Sequence, residues 1–360
     1  MKTFHCNHCG SLVFFENTCC LKCKSTLGFL PERMEIATLE KAGEGQWRVP
    51  SASAGPEQYR LCGNGVRHQV CNWLVRSDDP EALCEACRLN QVIPDLSVAG
   101  NLNRWAKFET AKRRVLYTLR HLGLSTEANG PATKHPLRFS FLADPPGGPK
   151  ILTGHSNGLI TFAVEEADDD VREKRRIALK EVYRTLLGHV RHEIAHFYWG
   201  LLIERPSKQD SFRLVFGDER ASYSEALKNY YSQGPPADWN QRHVSAYASA
   251  HPWEDWAETF AHYLHIQDMV ETGAGFGLSL HPQHPAAPSL STDLKNLKDL
   301  EQDLDRIISA WLPLTFALNE INRGMGLPDV YPFVLSELAL QKLRFVHEAA
   351  LSFAKREATS

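Results

Sequence analysis

Gly188-His189-Val190-Arg191-His192-Glu193-Ile194-Ala195-His196-Phe197-Tyr198-Trp199-Gly200 is the stretch on which the reading of this chain turns. Two histidines four positions apart, His192 and His196, fall on one face of a helix at about 100° per residue. Two imidazoles so placed can grip one metal ion. Glu193 follows the first and lies off that axis, where its carboxylate can hold a water without ligating. The flanks support a helix: Ile177, Leu179, Val182, Leu186, Leu187, Val190, Ile194, Phe197 and Leu201 recur mostly at three- and four-residue steps. This predicts one long helix from Val171 to about Glu204, with Asp170 and Glu173 as a capping box and Arg205-Pro206 as its stop. The competing reading is a pair of core histidines bonded to backbone.

All nine cysteines lie at or before Cys87 in a chain of 360 residues. A disulfide network would not stop at one boundary, whereas metal-binding modules at one end of a cytosolic protein would. Cys6/Cys9 and Cys20/Cys23 are two Cys-x-x-Cys knuckles, and together they supply the four thiolates of a tetrahedral zinc site. Cys19 is the spare thiol; exchanging it for Cys20 breaks the two-residue spacing. His5 and His8 read as exposed knuckle residues. Cys62, Cys71, Cys84 and Cys87 form a second candidate quartet, in which Gly63 and Gly65 let the widely spaced first pair fold back. Four buried thiols are the alternative. Such sites hold together stretches too small to bury a core alone.

Hydrophobic content of 43% and charged content of 23% are ordinary for a soluble globular protein. A net charge of -3 gives no whole-protein case for binding nucleic acid or an anionic membrane. The opening residues run straight into cysteines without an apolar signal segment, and no run approaches the roughly 18 apolar residues of a membrane span. A cytoplasmic location is the expectation.

Residues 30–58 read as a connector with one strand, marked by turn formers such as Gly43, Gly45, Pro50, Gly55 and Pro56. Leu102–Leu122 reads as an amphipathic helix whose Lys107, Lys112, Arg113, Arg114 and Arg120 form a solvated basic face. Residues 137–143 and 158–164 read as strands, and an edge strand next to a metal helix can pair with an extended peptide. Glu219–Tyr231 is a helix stopped by Gly234-Pro235-Pro236. Residues 272–293 read as a loop in which His281 and His284 are not ligands. Helices follow at roughly 293–322 and 336–355.

Pro252 suits the first turn of a helix in which Glu254, Glu258 and His262 stack on one face. Acids facing a core are costly unless something cationic meets them, and a metal with its histidines would do so. Either Glu254, or Glu258 with His262 behind it, can supply the third ligand. Metzincins take a histidine six residues after the second, where this chain has Leu202, so that class is excluded.

Glu254-Asp-Trp-Ala-Glu258, with Tyr247 seven residues ahead of Glu254, resembles the corresponding helix of gluzincins of the anthrax lethal factor and Pro-Pro endopeptidase type. The resemblance implies Glu254 as third zinc ligand, Glu258 as the acid supporting a ligand, and Tyr247 as the transition-state helper. The tyrosine spacing fits only that register. Asp255 then partners a basic side chain, and Asp218 and Glu219 carry no assigned role. The whole chain resembles a bacterial family of zinc-binding metallopeptidases with an N-terminal zinc ribbon. The matching stretches are the ribbon, Cys71–Val75, His192–His196, Phe216–Ala221 and Tyr247–Leu264.

The expected fold is α+β and mainly helical: a zincin-like metallopeptidase domain with a small sheet, preceded by a zinc ribbon. Expected divisions are 1–30, the ribbon; 31–98, a connector with the second four-cysteine module; 99–290, the catalytic domain; and 291–360, helices packed on it. The expected activity is peptide hydrolysis by a metal-activated water with Glu193 as general base, using one catalytic and two structural zinc ions. The partner is a peptide or protein substrate, with no membrane role. The alternative is a recognition protein whose zinc modules bind nucleic acid or protein and whose peptidase-like part is targeted or inactive.

Overall fold

The computed structural model of the protein describes residues 1–50, 58–124, 126, 135–204, 206–283, 290–295 and 300–357. Gly55, Pro56, Arg205 and His284, used in the sequence reading, lie outside the described residues. At the N-terminus two short antiparallel strands, β1 (Phe4–His5) and β2 (Leu12–Val13), carry the first knuckle on the turn between them. A five-stranded antiparallel sheet follows in sequence order: β3 (Thr26–Leu30), β4 (Glu35–Gly43), β5 (Gln46–Arg48), β6 (Gln58–Leu61) and β7 (Leu74–Arg76). The stretch expected to be a connector with one strand therefore holds two strands of a sheet. Ile36 through Leu39 are buried at four consecutive positions, so the alternation that marks a one-faced strand is missing there.

Cys62 and Cys84 immediately precede two short helices, α1 (Gly63–His68) and α2 (Glu85–Arg88). A Cβ at Gly65 would collide with the Cys71 carbonyl oxygen, so the loop can fold back only with no side chain there.

A second, mixed sheet is built from β8 (Asn90–Val92), β9 (Arg138–Leu142), β10 (Gly154–Ser156) and β11 (Leu159–Ala163), in the order β10-β11-β9-β8. β8 and β11 run parallel to β9, while β10 is antiparallel and forms one edge. Between β8 and β9 in sequence lies α3 (Asn101–His121).

The expected continuous helix over 171–204 is two helices, α4 (Asp169–Ala178) and α5 (Leu186–Leu202). Asp168, not Asp170, occupies the N-cap position of α4, without a side-chain capping bond, and Lys180 in the break takes a left-handed conformation at φ 56°. Ile177, Leu179 and Val182, counted as core by periodicity, are exposed. Thr185 restarts the helix, its Oγ1 accepting from Gly188 N at 3.0 Å.

Next come α6 (Pro206–Phe216), α7 (Tyr223–Gln233), stopped by Gly234 at φ 79°, and α8 (Trp239–Arg242). A 3-10 turn, Tyr247–Ser249, leads into α9 (Pro252–Gly275), which Pro252 opens and His251 caps. α9 takes in residues through 275, so the loop expected from 272 starts later. Strands β12 (Ser279–Leu280) and β13 (Thr292–Asp293) pair before the last two helices. These are α10 (Leu304–Gly324) and α11 (Glu337–Glu357); the first begins well after residue 293 because β13 occupies its expected start.

The chain is α+β and mainly helical. Trp105 and Phe108 of α3, Ile194 and Tyr198 of α5, and Trp256 and Phe260 of α9 are fully buried, each such side chain contributing about 1.5–3 kcal/mol. Phe108 sits on Phe141 and Phe162 of the mixed sheet. Phe4, Phe15 and Phe29 of the N-terminal region close on Tyr117 of α3, so the two regions share one core. None of the described helices is long and apolar enough to cross a membrane.

Candidate metal centre and cysteine clusters

α5 and α9 pack side by side, and two polar links fix how they meet. Trp256 Nε1 donates to the Ala195 carbonyl at 2.8 Å, and the Arg191 guanidinium pairs with Asp268. This places the first turn of α9, where a carboxylate also suits the helix dipole, against the histidine face of α5. Glu254 Oε2 lies 3.1 Å from His192 Nε2 and 3.8 Å from His196 Nε2. One donor atom from each of the three residues lies within 4.8 Å of the others.

These atoms suit a shared cation. Glu254 is 1% exposed, and its Oε2 has no hydrogen-bond partner among the described residues. An orphaned buried carboxylate oxygen is costly unless a cation meets it. In a tetrahedron with arms of about 2.1 Å, typical of zinc with nitrogen and oxygen donors, the edge is about 3.4 Å; the two observed separations bracket it. Two imidazoles and one carboxylate are also a donor set that zinc accepts. The other oxygen of Glu254 accepts from the Tyr223 hydroxyl at 2.6 Å. Burial would raise the Glu254 carboxyl, but the His192 and His196 rings and Tyr223 win, holding it down to about 2.

Glu258 lies on the far side of His192: its Oε1 is 2.6 Å from Nδ1, and its Oε2 accepts from Ser245 Oγ at 2.6 Å. That contact fixes the ring and leaves Nε2 for the site. His262 turns away to the Tyr331 hydroxyl, 2.5 Å from its Nδ1, and is outside the triple. Asp255 is paired with Lys342 Nζ at 2.6 Å and His243 Nδ1 at 3.1 Å. Asp218 pairs with Arg220, and Glu219 with Arg213.

Glu193 is buried, with Oε1 3.3 Å from His189 Nε2 and Oε2 lacking a hydrogen-bond partner among the described residues. Burial pushes its carboxyl up, but His189 and the neighbouring imidazoles outweigh this and keep it below the usual range. His189 Nδ1 in turn lies 2.9 Å from Glu166 Oε2, and Glu166 is bound by Arg175 at 2.5 Å and Thr153 Oγ1 at 2.6 Å. Tyr247 stands with its ring centroid 5.9 Å from that of His192. Burial and the Glu254 charge push its hydroxyl well above the ordinary tyrosine range, so it stays a donor. His155 of the edge strand β10 lies nearly parallel to His196 at 6.1 Å. Tyr223, His189, Glu166 and His155 were not singled out from the sequence. Long-range packing brings Tyr223, Glu166 and His155 here, whereas His189 sits on α5 itself, four residues before Glu193, a helical spacing that the sequence offered.

Cys6, Cys9, Cys20 and Cys23 converge, as do Cys62, Cys71, Cys84 and Cys87. Sγ atoms are 3.6 Å apart for Cys6–Cys23, Cys9–Cys20 and Cys71–Cys84. With zinc–sulfur arms of about 2.3 Å, a tetrahedral edge is about 3.8 Å. Cys19 is exposed and outside the first quartet. Lys112 and Arg113 correct the reading of α3 as a solvated basic face. They are 0% and 4% exposed, and the positive charge of Arg113 acts on Cys71, Cys84 and Cys87. The buried Glu109 carboxylate takes up one of these two positive charges, and the remainder would offset part of the negative charge of a quartet of thiolates.

Residues 101–349 match a family described as "Putative zinc-binding metallo-peptidase", and residues 3–98 match a zinc-ribbon domain. Uncharacterized proteins of Mycobacterium tuberculosis (strain ATCC 25618 / H37Rv) and Mycobacterium bovis are each 41% identical over 348 residues, covering 96% of this chain and 94% of the relative. No solved structure is a significant match. With a histidine–histidine–glutamate cluster inside the first match and two cysteine quartets inside the second, the chain belongs to this zinc-binding metallo-peptidase family and carries its N-terminal zinc ribbon.

Proposed function

We propose that the protein is a zinc endopeptidase in which His192, His196 and Glu254 hold the metal. The observation that carries this reading is the partnerless, buried Oε2 of Glu254 facing both Nε2 atoms. A zinc ion bound there supplies Lewis-acid chemistry, polarising the scissile carbonyl and bringing the pKa of water toward about 7. Glu193 is the general base: its free Oε2 takes a proton from the attacking water and delivers it to the leaving amine nitrogen. Tyr247 donates its hydroxyl hydrogen to the carbonyl oxygen as negative charge develops there. Glu258 holds His192 in the orientation that presents Nε2.

Among the described residues one side of β10 is unpaired and offers backbone groups to an extended peptide, and His155 brings that edge beside His196. The two cysteine quartets each hold a structural zinc, for one catalytic and two structural ions in all. Reduced thiolate sites suit a reducing compartment, so the cytoplasm is the expected location.

The test is Glu193→Gln. The variant should keep its full zinc content and lose cleavage of a mixed peptide pool by about 10²–10⁴-fold. Wild-type cleavage by that variant would remove Glu193 as the base.

A further inference from the structure

Glu254 is gripped by a group that the catalytic scheme leaves unused. Tyr223, in the first turn of α7, donates its hydroxyl hydrogen to Glu254 Oε1 at 2.6 Å. The second oxygen, Oε2, is buried without a hydrogen-bond partner and faces the imidazole nitrogens of His192 and His196. A glutamate's terminal torsion is broad, so a carboxylate held only at its stem could present either oxygen, or both. A hydrogen bond to an ionised acceptor is roughly twice as strong as a neutral one. At 1% exposure, Glu254 has little access to water that might replace the phenol.

The setting of Tyr223 is unusual. None of the eleven residues of α7 is buried, so the helix has no core packing of its own. Tyr223 is instead seated between His251, at 5.2 Å between ring centroids, and Trp253, at 6.0 Å. His251 caps α9, and Trp253 is the residue before Glu254. The phenol is thus fixed to the very turn that carries the carboxylate. Tyr230 of the same helix meets Tyr247 edge-on at 5.6 Å and does not touch Glu254 through any described hydrogen bond.

We propose that Tyr223 is a positioning residue for the metal: its hydroxyl engages one oxygen of Glu254 and presents the other as a single, oriented donor. The role rests on the reading of Glu254 as a zinc ligand. Groups that orient a ligand in this way typically change metal affinity by about 10–100-fold when removed.

The experiment measures zinc affinity in the full-length chain, by competition with a chromophoric chelator, for wild type, Tyr223→Phe, Tyr230→Phe and Glu254→Ala. Phenylalanine keeps the ring and removes only the hydroxyl, and a melting curve for each variant checks that it is folded. Wild type should hold three ions, matching the three clusters, and Glu254→Ala should lose one of them. Tyr223→Phe should bind that same ion about 10–100-fold more weakly, with Tyr230→Phe unchanged. If Tyr223→Phe binds it as wild type does while Glu254→Ala loses it, the positioning role is wrong and the ligand assignment survives. Equal weakening in Tyr230→Phe would trace the effect to helix packing and also overturn the role. If Glu254→Ala keeps all three ions, the ligand assignment falls and the role of Tyr223 falls with it.

Discussion

His192 is flanked by carboxylates on both ring nitrogens, Glu254 near Nε2 and Glu258 at Nδ1. The second contact occupies Nδ1 and leaves Nε2 for a cation, and in the proposed site it makes Glu258 a support for a ligand. Tyr247→Phe should keep every zinc ion and lower kcat by about 10²–10³-fold with little change in KM; steady-state kinetics alongside metal analysis checks this. His189 makes a different prediction. Burial would lower its pKa, but Glu166 and Glu193 outweigh burial and raise it to about 9, above the ordinary 6.5. A group whose pKa is raised on folding contributes stability that is fully present below about 6.5 and is lost as pH rises through about 9. The melting-temperature gap between wild type and His189→Gln should therefore be widest near pH 6 and shrink toward pH 9.5. A gap that does not change with pH would contradict this.

At the scale of elements, the pairing of α5 with α9 makes the site, and Lys342 of α11 braces it. Its ammonium is buried against Asp255, and it also donates to the Arg242 carbonyl at 2.7 Å, just before the segment that carries Ser245 and Tyr247. Lys342→Met leaves the buried Asp255 carboxylate with only His243 beside it and should cost about 3–5 kcal/mol in urea unfolding. Adding Asp255→Leu should recover much of that loss; a double variant no more stable than the single would contradict the account. Helical periodicity made α3, α5, α9 and α11 legible in the sequence, because each has a stripe of apolar residues against one core. It failed at α4 and in the break after it, where Ile177 and Val182 keep the period yet face solvent. The break itself depends on a left-handed Lys180, which no local pattern announces. Lys112 and Arg113 misled for the opposite reason: Glu109 stands three and four residues before them on the same helix, a spacing visible in the sequence, but the burial of this face and the bond of Arg113 to the Val70 carbonyl follow from folding.

Across the whole molecule, the N-terminal zinc region is built into the catalytic part. It supplies β8 to the mixed sheet, and Phe15 and Phe29 to the pocket around Tyr117. A fragment of residues 99–360 should therefore expose that core and an unpaired strand, and show no cooperative melting; a melt matching the full chain would contradict this. The first cysteine quartet, the Cys84/Cys87 knuckle and the histidine pair were legible because metal ligation imposes short, fixed spacings, while the widely spaced Cys62 and Cys71 were read through the turn that Gly63 and Gly65 permit. Tyr223 and Glu166 were not legible, because each reaches the site through tertiary packing alone; His189 stands four residues before Glu193 on the same helix, but its partner Glu166 comes only with the fold. The central claim is that His192, His196 and Glu254 share one zinc ion, and an anomalous-difference map recorded at the zinc absorption edge from crystals of the full chain tests it most directly. The account predicts three peaks, one of them enclosed by the Nε2 atoms of His192 and His196 and by Oε2 of Glu254. Peaks confined to the two cysteine quartets would contradict it.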